Sequence, residues 1–412
     1  MTAPLTEIGY ATSSPGTIWW QAVEDEPTLE LRWPDSVAVY DAMRSQDSQV
    51  TSVLRAVTLP VRRTPWRIDP AGARDEVVQL VADDLGLPIL GQPDEPARRN
   101  RDRFSWPDHL RLALLMLPFG HAFFEQVYRI DPVTGRARLR KLGERLPRTI
   151  ERIDVADDGG LISITQTSSK VGKLQGPIPV SRLVAYVHER EGGNWVGRSL
   201  LRPAYKNWLI KDRLLRVQAQ TIERNGMGIP LYEGAPGEDD LSKGLETATR
   251  WRSGQSAGAA IPHEARMRLV GVEGALPNAD PAIRYHDEQI GRGVLAHFLN
   301  LGTQTGSWAL GSTFADFFTL SLQTLAQQVA DVANQHIVED LVDVNWGEDE
   351  PAPKLVHDEI GSRQQATAQA IKLLTDAGIL LPDRSLEEAA RQQFGLPPKD
   401  PLPAPPANQG SS

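Results

Sequence analysis

One helical stretch, roughly Ser199 to Arg224, constrains this chain more than any other segment. Leu201, Tyr205, Trp208, Leu215, Ala219 and Ile222 recur on one face at the three-, four- and seven-residue intervals of an α-helix. Arg202, Lys206, Arg213 and Arg216 form a second stripe. Between positions 198 and 224 the basic residues number seven (Arg198, Arg202, Lys206, Lys211, Arg213, Arg216, Arg224) and the acidic ones two (Asp212, Glu223), so the segment is +5 in a chain of net charge −9. Asn225 and Gly226 end it. The basic stripe has two readings. It is a solvated face that pairs with acidic residues of a neighbouring subunit, or it is a surface turned toward a nucleic-acid backbone. No aromatic residues interleave it in the way that base stacking needs.

The flanking segments divide around this helix. Residues 1–33 read as a loose arm, with Trp19, Trp20 and Trp33 as anchors on a neighbour. Val37, Tyr40, Ala42, Val50, Val53, Leu54 and Val57 predict two short helices that Pro60 stops, and Val61 to Ile68 predicts a strand. Glu76 to Leu85 and Trp106 to Leu117 predict helices, with a charged loop from Pro93 to Arg103 between them. Ala122 to Arg190 is strand-like, with hairpin turns at Val133-Thr134-Gly135 and Asp157-Asp158-Gly159-Gly160. After the long helix, Ile229 to Asp280 predicts a small α/β segment: a strand to Tyr232, a polar helix from Asp240 to Trp251, and strands near 259–261 and 268–272. Asp280 and Pro281 stand at the N-cap and first position of another helix bearing Ile283, Ile290, Val294 and Phe298. A Gly-, Thr- and Ser-rich loop, Leu301 to Gly311, leads into the longest helix, from Ser312 or Thr313 to about Val344. Helices near Arg363–Ala377 and Ser385–Phe394 follow, and Leu396 to Ser412, with six prolines, predicts disorder.

Composition removes several functional classes. The 412 residues contain no cysteine, which excludes disulfides, thiol nucleophiles and zinc-thiolate sites. No apolar run is long enough for a membrane span, and Met1 to Tyr10 lacks the pattern of a secretory signal. Net charge of −9 argues against a protein that grips nucleic acid with its whole surface, yet permits an acidic wall past which DNA slides. Gly306 to Thr313 has the glycine spacing of a phosphate-binding loop, but Ser312 occupies the place of the lysine that meets the phosphates. His336 with Glu339, and His286-Asp287-Glu288, make neither a HExxH motif nor a two-histidine ligand set. His121 reads as a packed or capping histidine. Gly197-Arg198-Ser199 lacks the second glycine of a nucleophile elbow. Catalysis therefore has no positive support; no metal and no cofactor is expected.

Several segments, in their order, resemble the phage-Mu-type portal family from about Tyr40 to Leu396. They are Arg62 to Pro70, with Trp66 and Ile68; Phe119 to Glu125; Gly197 to Tyr205 with Trp208 and Lys211; Glu223 to Gly226 with Pro230; Gly306 to Ala309; Asn345-Trp346-Gly347; and Leu373 to Gly378, with Asp383 and Phe394 to Pro397. The resemblance implies an α+β portal-type subunit that assembles into a ring, usually of twelve copies. On that map, 1–39 is an arm, 40–196 the wing, 197–225 the first stem helix and 226–280 the α/β clip. The second stem helix is 281–300, the tunnel loop 301–312, the long wing helix and strand 313–360, the helical crown 361–396 and a disordered tail 397–412. It implies a non-enzymatic role at one capsid vertex of a virion, in DNA packaging and ejection, for a protein made in the host bacterial cytoplasm. Implied partners are further copies of itself, double-stranded DNA without sequence preference, the terminase large subunit, a head-tail adaptor, and the major capsid or scaffolding protein. No membrane is involved. Thr303, Gln304, Thr305, Ser307 and Trp308 would then lie in the DNA-channel loop, and Arg202, Lys206, Arg213 and Arg216 at the channel or a subunit interface. The stretch from Leu301 to Thr313 carries no charge, as suits a loop past which phosphates must move. Competing readings are another ring protein of the head-tail connector, or a nucleotide- or nucleic-acid-processing enzyme.

Overall fold

The computed structural model describes residues 26–93, 104–167, 176–226, 229–250, 260–270, 278–293 and 308–361. By its contacts the chain divides into 1–357 and 358–412. Of the second unit only 358–361 are described, so Arg363–Ala377, Ser385–Phe394 and the proline-rich end lie outside the described residues, as do Trp19, Trp20 and most of the charged loop at 93–103.

The two expected N-terminal helices are α1 (Asp35–Gln46) and α2 (Ser48–Arg63). Asp47 separates them, and its carboxylate accepts from the backbone N–H groups of Gln49 and Val50 at 2.8 and 3.1 Å, satisfying donors that a helix start leaves free. Val50, Val53, Val57 and Val61 form the buried stripe of α2. Pro60 does not stop this helix. It sits in the last turn, and the chain leaves the helix at Thr64, which is extended at ψ 141°. Pro65 imposes that conformation on the residue before it. Val61 to Arg63 are therefore helical, and the strand shortens to β1 (Trp66–Asp69). The arm is also less loose than expected. Leu29–Leu31 form a short 3-10 turn, and Leu31 is buried beside Tyr40 and Met43.

Helix α3 (Asp75–Leu85) ends at Gly86, in the left-handed region at φ 66°. The helix expected from Trp106 to Leu117 breaks into α4 (Trp106–Ala113) and α5 (Met116–Phe119). The strand-rich region comprises β2 (His121–Ile130), β3 (Ala137–Arg145), β4 (Ile150–Val155), β5 (Leu161–Gln166), β6 (Ile178–Pro179) and β7 (Leu183–Val187). Two antiparallel sheets result, in the orders β3-β2-β7 and β4-β5-β6. Gly135 and Gly159 take positive φ in the two expected hairpin turns. A crossing of two loops closes the end of β2: a Cβ on Gly120 would lie 2.4 Å from the Val196 carbonyl, and one on Gly197 2.4 Å from the Gly120 carbonyl. Only glycine allows that approach.

Helix α6 (Tyr205–Gly226) begins after a 3-10 turn at Arg202–Ala204, later than the sequence pattern suggests, because Pro203 sits in that turn. The α/β segment contains β8 (Ile229–Glu233), α7 (Ser242–Thr249) and β9 (Arg266–Val270). Strands β8 and β9 pair antiparallel; Ala260 and Ile261 are not in a strand. Helix α8 (Asp280–Arg292) starts one residue earlier than expected: Ala279 is its N-cap and Pro281 falls within the first two positions. The Asn278 side chain accepts from the Asp280 N–H at 3.0 Å. Val294 and Phe298 lie outside the described residues.

The longest helix starts earlier than Ser312. It is α9 (Trp308–Ala333), continued by a π-helical turn at Asn334–Glu339 and by α10 (Asp340–Trp346). Trp308 to Gly311 are thus helical; one glycine costs about 1 kcal/mol in a helix and does not end it. At the wide π turn, the buried Gln126 donates to the His336 carbonyl and, at 2.7 Å, to Asp340. Such an inserted side chain is a recognised cause of an opened turn. Two asparagines bind this helix to strands. Asn334 accepts from the Leu355 N–H at 2.7 Å, in β10 (Lys354–His357), which pairs with β1. Asn345 accepts from the Ala137 N–H at 2.8 Å, at the start of β3.

Candidate functional site

The residues that carry this protein's polar chemistry meet where α6 crosses α8 and the N-terminal helices. Lys211 projects from α6 into the buried side. Its ammonium lies 2.9 Å from Asp47 and 2.6 Å from Asp287 on α8. Burial alone would favour the neutral amine, but the hydrogen bonds and charges of Asp287 and Asp47 outweigh it and raise the pKa above the usual lysine value. Asp47 therefore does two things: it caps α2 and it holds α6. His286 sits beside this knot, 3.0 Å from the Asn207 side chain.

A second polar cluster lies at the start of α6. Arg202 pairs with Glu26, with Nη2 2.9 Å from one carboxylate oxygen. Burial raises the Glu26 pKa, and the Arg202 pair with the Thr28 N–H overcomes it, leaving the carboxyl below its usual range. Tyr40, beside them, is pushed up to about 12, chiefly by burial. Tyr205 donates to Glu30 and is also raised to about 12, by burial and then by that bond.

The four residues of the basic stripe thus occupy different settings. Arg202 is held in an ion pair that includes the arm. Arg216 is exposed and pairs with Asp212 along the helix at 2.8 Å. Lys206 and Arg213 are exposed. Lys211, the buried cation, was not in the stripe. Its signal was present: it falls three residues after Trp208 and four before Leu215, on the apolar face, and a cation there requires carboxylates around it.

Beyond Lys211 the apolar face of α6 turns outward. On this face Leu215 and Ile222 are 43% and 63% exposed. Phe317 and Leu320 on α9 are each 58% exposed. Trp308 is the first residue of α9 in its backbone. Thr303, Gln304, Thr305 and Ser307 lie outside the described residues.

The residues weighed for catalysis have structural tasks. His121 is buried, 2.9 Å from the Val196 carbonyl through Nδ1, and burial lowers its pKa to about 4. Ser199 donates to the Pro118 carbonyl at 2.6 Å and accepts from the Leu201 N–H at 3.0 Å. Among the described residues, no three His, Asp or Glu side chains gather as a metal site. Nor is any helix among them long and apolar enough to cross a membrane.

Comparison with known proteins completes the picture. Residues 37–396 match the family described as the portal protein of Mu bacteriophage. Among solved structures, the chain is similar to one in the neck of an empty gene transfer agent particle, computed with C6 symmetry. The TM-score is 0.59 with 13% identity, covering 89% of this chain and 94% of that one. A chain from the virion of the native gene transfer agent particle gives 0.56 and 12% over 89% and 94%. An HK97-family phage portal protein from Corynebacterium diphtheriae gives 0.43 and 13%, over 76% of this chain and 92% of that one.

Proposed function

The chain belongs to the portal-protein family of Mu bacteriophage, and from that premise we propose how its parts serve a portal. Copies close head-to-tail into a ring of twelve, through which double-stranded DNA passes during packaging and ejection. The observation that carries the ring is the outward apolar face of α6, with Leu215 and Ile222 exposed in the single chain. A heterologous contact repeated around an axis covers such a face on every copy. The similar gene transfer agent necks, computed with C6 and with C12 symmetry, support a closed ring.

Within that ring, 40–196 forms the wing and 197–225 and 281–300 the stem helices. The clip, 226–280, docks the terminase large subunit during packaging and the head-tail adaptor afterwards, while the wing meets the capsid or scaffolding protein. Thr303, Gln304, Thr305 and Ser307 line the channel with Trp308 at the start of α9. The absence of charge from 301 to 313 keeps their hold on phosphates weak. Lys206 and Arg213 face the channel or the adjoining copy. The ring sits at one capsid vertex of the virion, is made in the host bacterial cytoplasm, and acts without catalysis. The test is negative-stain microscopy with mass photometry of the purified full chain. Rings with a central channel are expected, and a stable monomer at micromolar concentration would refute them. Deleting Thr303–Ser307 should spare the rings and impair DNA packaging or retention; normal packaging would remove the loop from the mechanism.

A further inference from the structure

A cavity of about 290 Å³ opens between α2 and the α4–α5 bend. Its wall includes Leu54 and Leu115, and its rim carries Arg44, Arg55, Arg62 and Arg111. Arg55, Thr58 and Arg62 stand on one face of α2, at intervals of three and four. Arg44 is tied to Asp41 at 2.7 Å and lies over the Phe119 ring at 4.8 Å. Arg111 is tied to Asp108 at 2.9 Å. Arg55 and Arg62 have no carboxylate partner among the described residues. The cavity is thus an apolar hollow with surplus positive charge at its edge. It suits a segment that presents large apolar side chains followed by carboxylates.

The chain contains one such segment close by. Residues 1–25 hold Glu7, Glu24 and Asp25 and no lysine or arginine, and three residues separate Ile18-Trp19-Trp20 from the acidic pair Glu24-Asp25. The described chain begins at Glu26, which is fixed by Arg202 beside Tyr40. Tyr40 and Arg44 are one turn apart on α1, about 6 Å along the axis. Leu31 and Trp33 pack in the same cluster as Leu54 and Leu115, two residues of the cavity wall. The seven residues from Trp19 to Asp25 span up to about 23 Å when extended, which is ample for this distance.

We infer that the cavity is the seat of this chain's own N-terminal arm, with Trp19 or Trp20 in the hollow and Glu24 and Asp25 on Arg55 and Arg62. The arm then clasps α2 to the α4–α5 bend within one copy. The chain's lack of cysteine gives a clean test on the full-length protein. Gln21→Cys with Thr58→Cys should form an intramolecular disulfide, seen as a faster monomer band on a non-reducing gel. Chymotrypsin should cut at Trp19 and Trp20 about tenfold faster in the Arg55→Glu/Arg62→Glu variant, a change worth about 1.4 kcal/mol. Adding Glu24→Arg/Asp25→Arg should restore protection. A ladder of disulfide-linked copies would place the arm in a neighbour instead and overturn the assignment. So would an unchanged cleavage rate, or a loss of DNA binding in the arginine variant with protection intact. Both arginines are exposed, so the double variant should fold; an unaltered melting temperature checks this.

Discussion

The region of 40–196 and helix α6, proposed above as wing and stem, use their apolar residues in opposite ways. In the wing, Val50, Val53, Phe123, Phe124, Ile164 and Tyr186 are all 0% exposed within a single chain. Trp66 packs between Trp106 and His357, with ring centroids 5.3 and 5.2 Å away. Along α6, burial ends where Lys211 ends it, and the helix then displays Leu215, Val217 and Ile222. One region completes its core alone. The other is held by an ionic knot and leaves apolar surface exposed in the single chain. If α6 makes the ring contact proposed above, stability of the subunit and assembly of the ring should be separable, located in different elements.

Four measurements would break or sharpen that separation. The largest effect is expected from Leu215→Asp/Ile222→Asp. Burying a charge in a subunit contact should abolish rings in negative stain, while the monomer's unfolding free energy stays within about 0.5 kcal/mol, as for other surface changes. A matching loss of monomer stability would show that these residues are core after all. Next is Lys211→Met, which leaves Asp47 and Asp287 facing each other without their cation. It should cost about 3–5 kcal/mol in denaturant unfolding, and adding Asp47→Asn/Asp287→Asn should recover part of it.

Acid should act through the two buried histidines. Burial lowers His109 to about 3 and His121 to about 4. A histidine whose folded pKa is depressed stabilises fully above its unfolded value, near 6.5, and that contribution drains away as pH falls toward the folded value. From pH 6.5 to 5.5, above the ordinary carboxylate range, each should remove about 1 kcal/mol. The melting temperature should fall over this window, and less so in His109→Gln; a flat profile would contradict the burial of both rings. The smallest effect is expected from Arg216→Ala. Its exposed pair with Asp212 is worth about 0.3–0.5 kcal/mol, so both melting and ring formation should stay nearly unchanged.

Much of the architecture was legible in the sequence because period and punctuation agreed. Gly135 and Gly159 marked hairpins between apolar runs, and the valines of α2 marked its buried face. The α/β segment between two helices was visible for the same reason. Errors came where tertiary contacts overrode local signals. Pro60 looked like a stop, yet one turn of helix continues to Thr64, where Pro65 does end it. The π turn at Asn334 had no local sign, since its cause is Gln126, more than two hundred residues earlier. Strand β3 was legible only as part of the strand-like stretch 122–190, because its charged positions hide the inward-facing Ala137, Leu139 and Leu142. Of the polar sites, the stripe on α6 was readable as spacing. Lys211 differed from its neighbours only in which face it occupied.

The double duty of Asp47 has a mechanical meaning. The carboxylate that starts α2 is also the anchor of α6, so a pull on α6 is a pull on the first turn of α2. Motion of the stem large enough to draw Lys211 away would free Asp47 from its cation while leaving it bound to the Gln49 and Val50 N–H groups. The wing helix would survive the release, and the stem could return to the same carboxylate. That makes the junction a resettable latch rather than a weld, suited to a part that is loaded in one direction and later in the other.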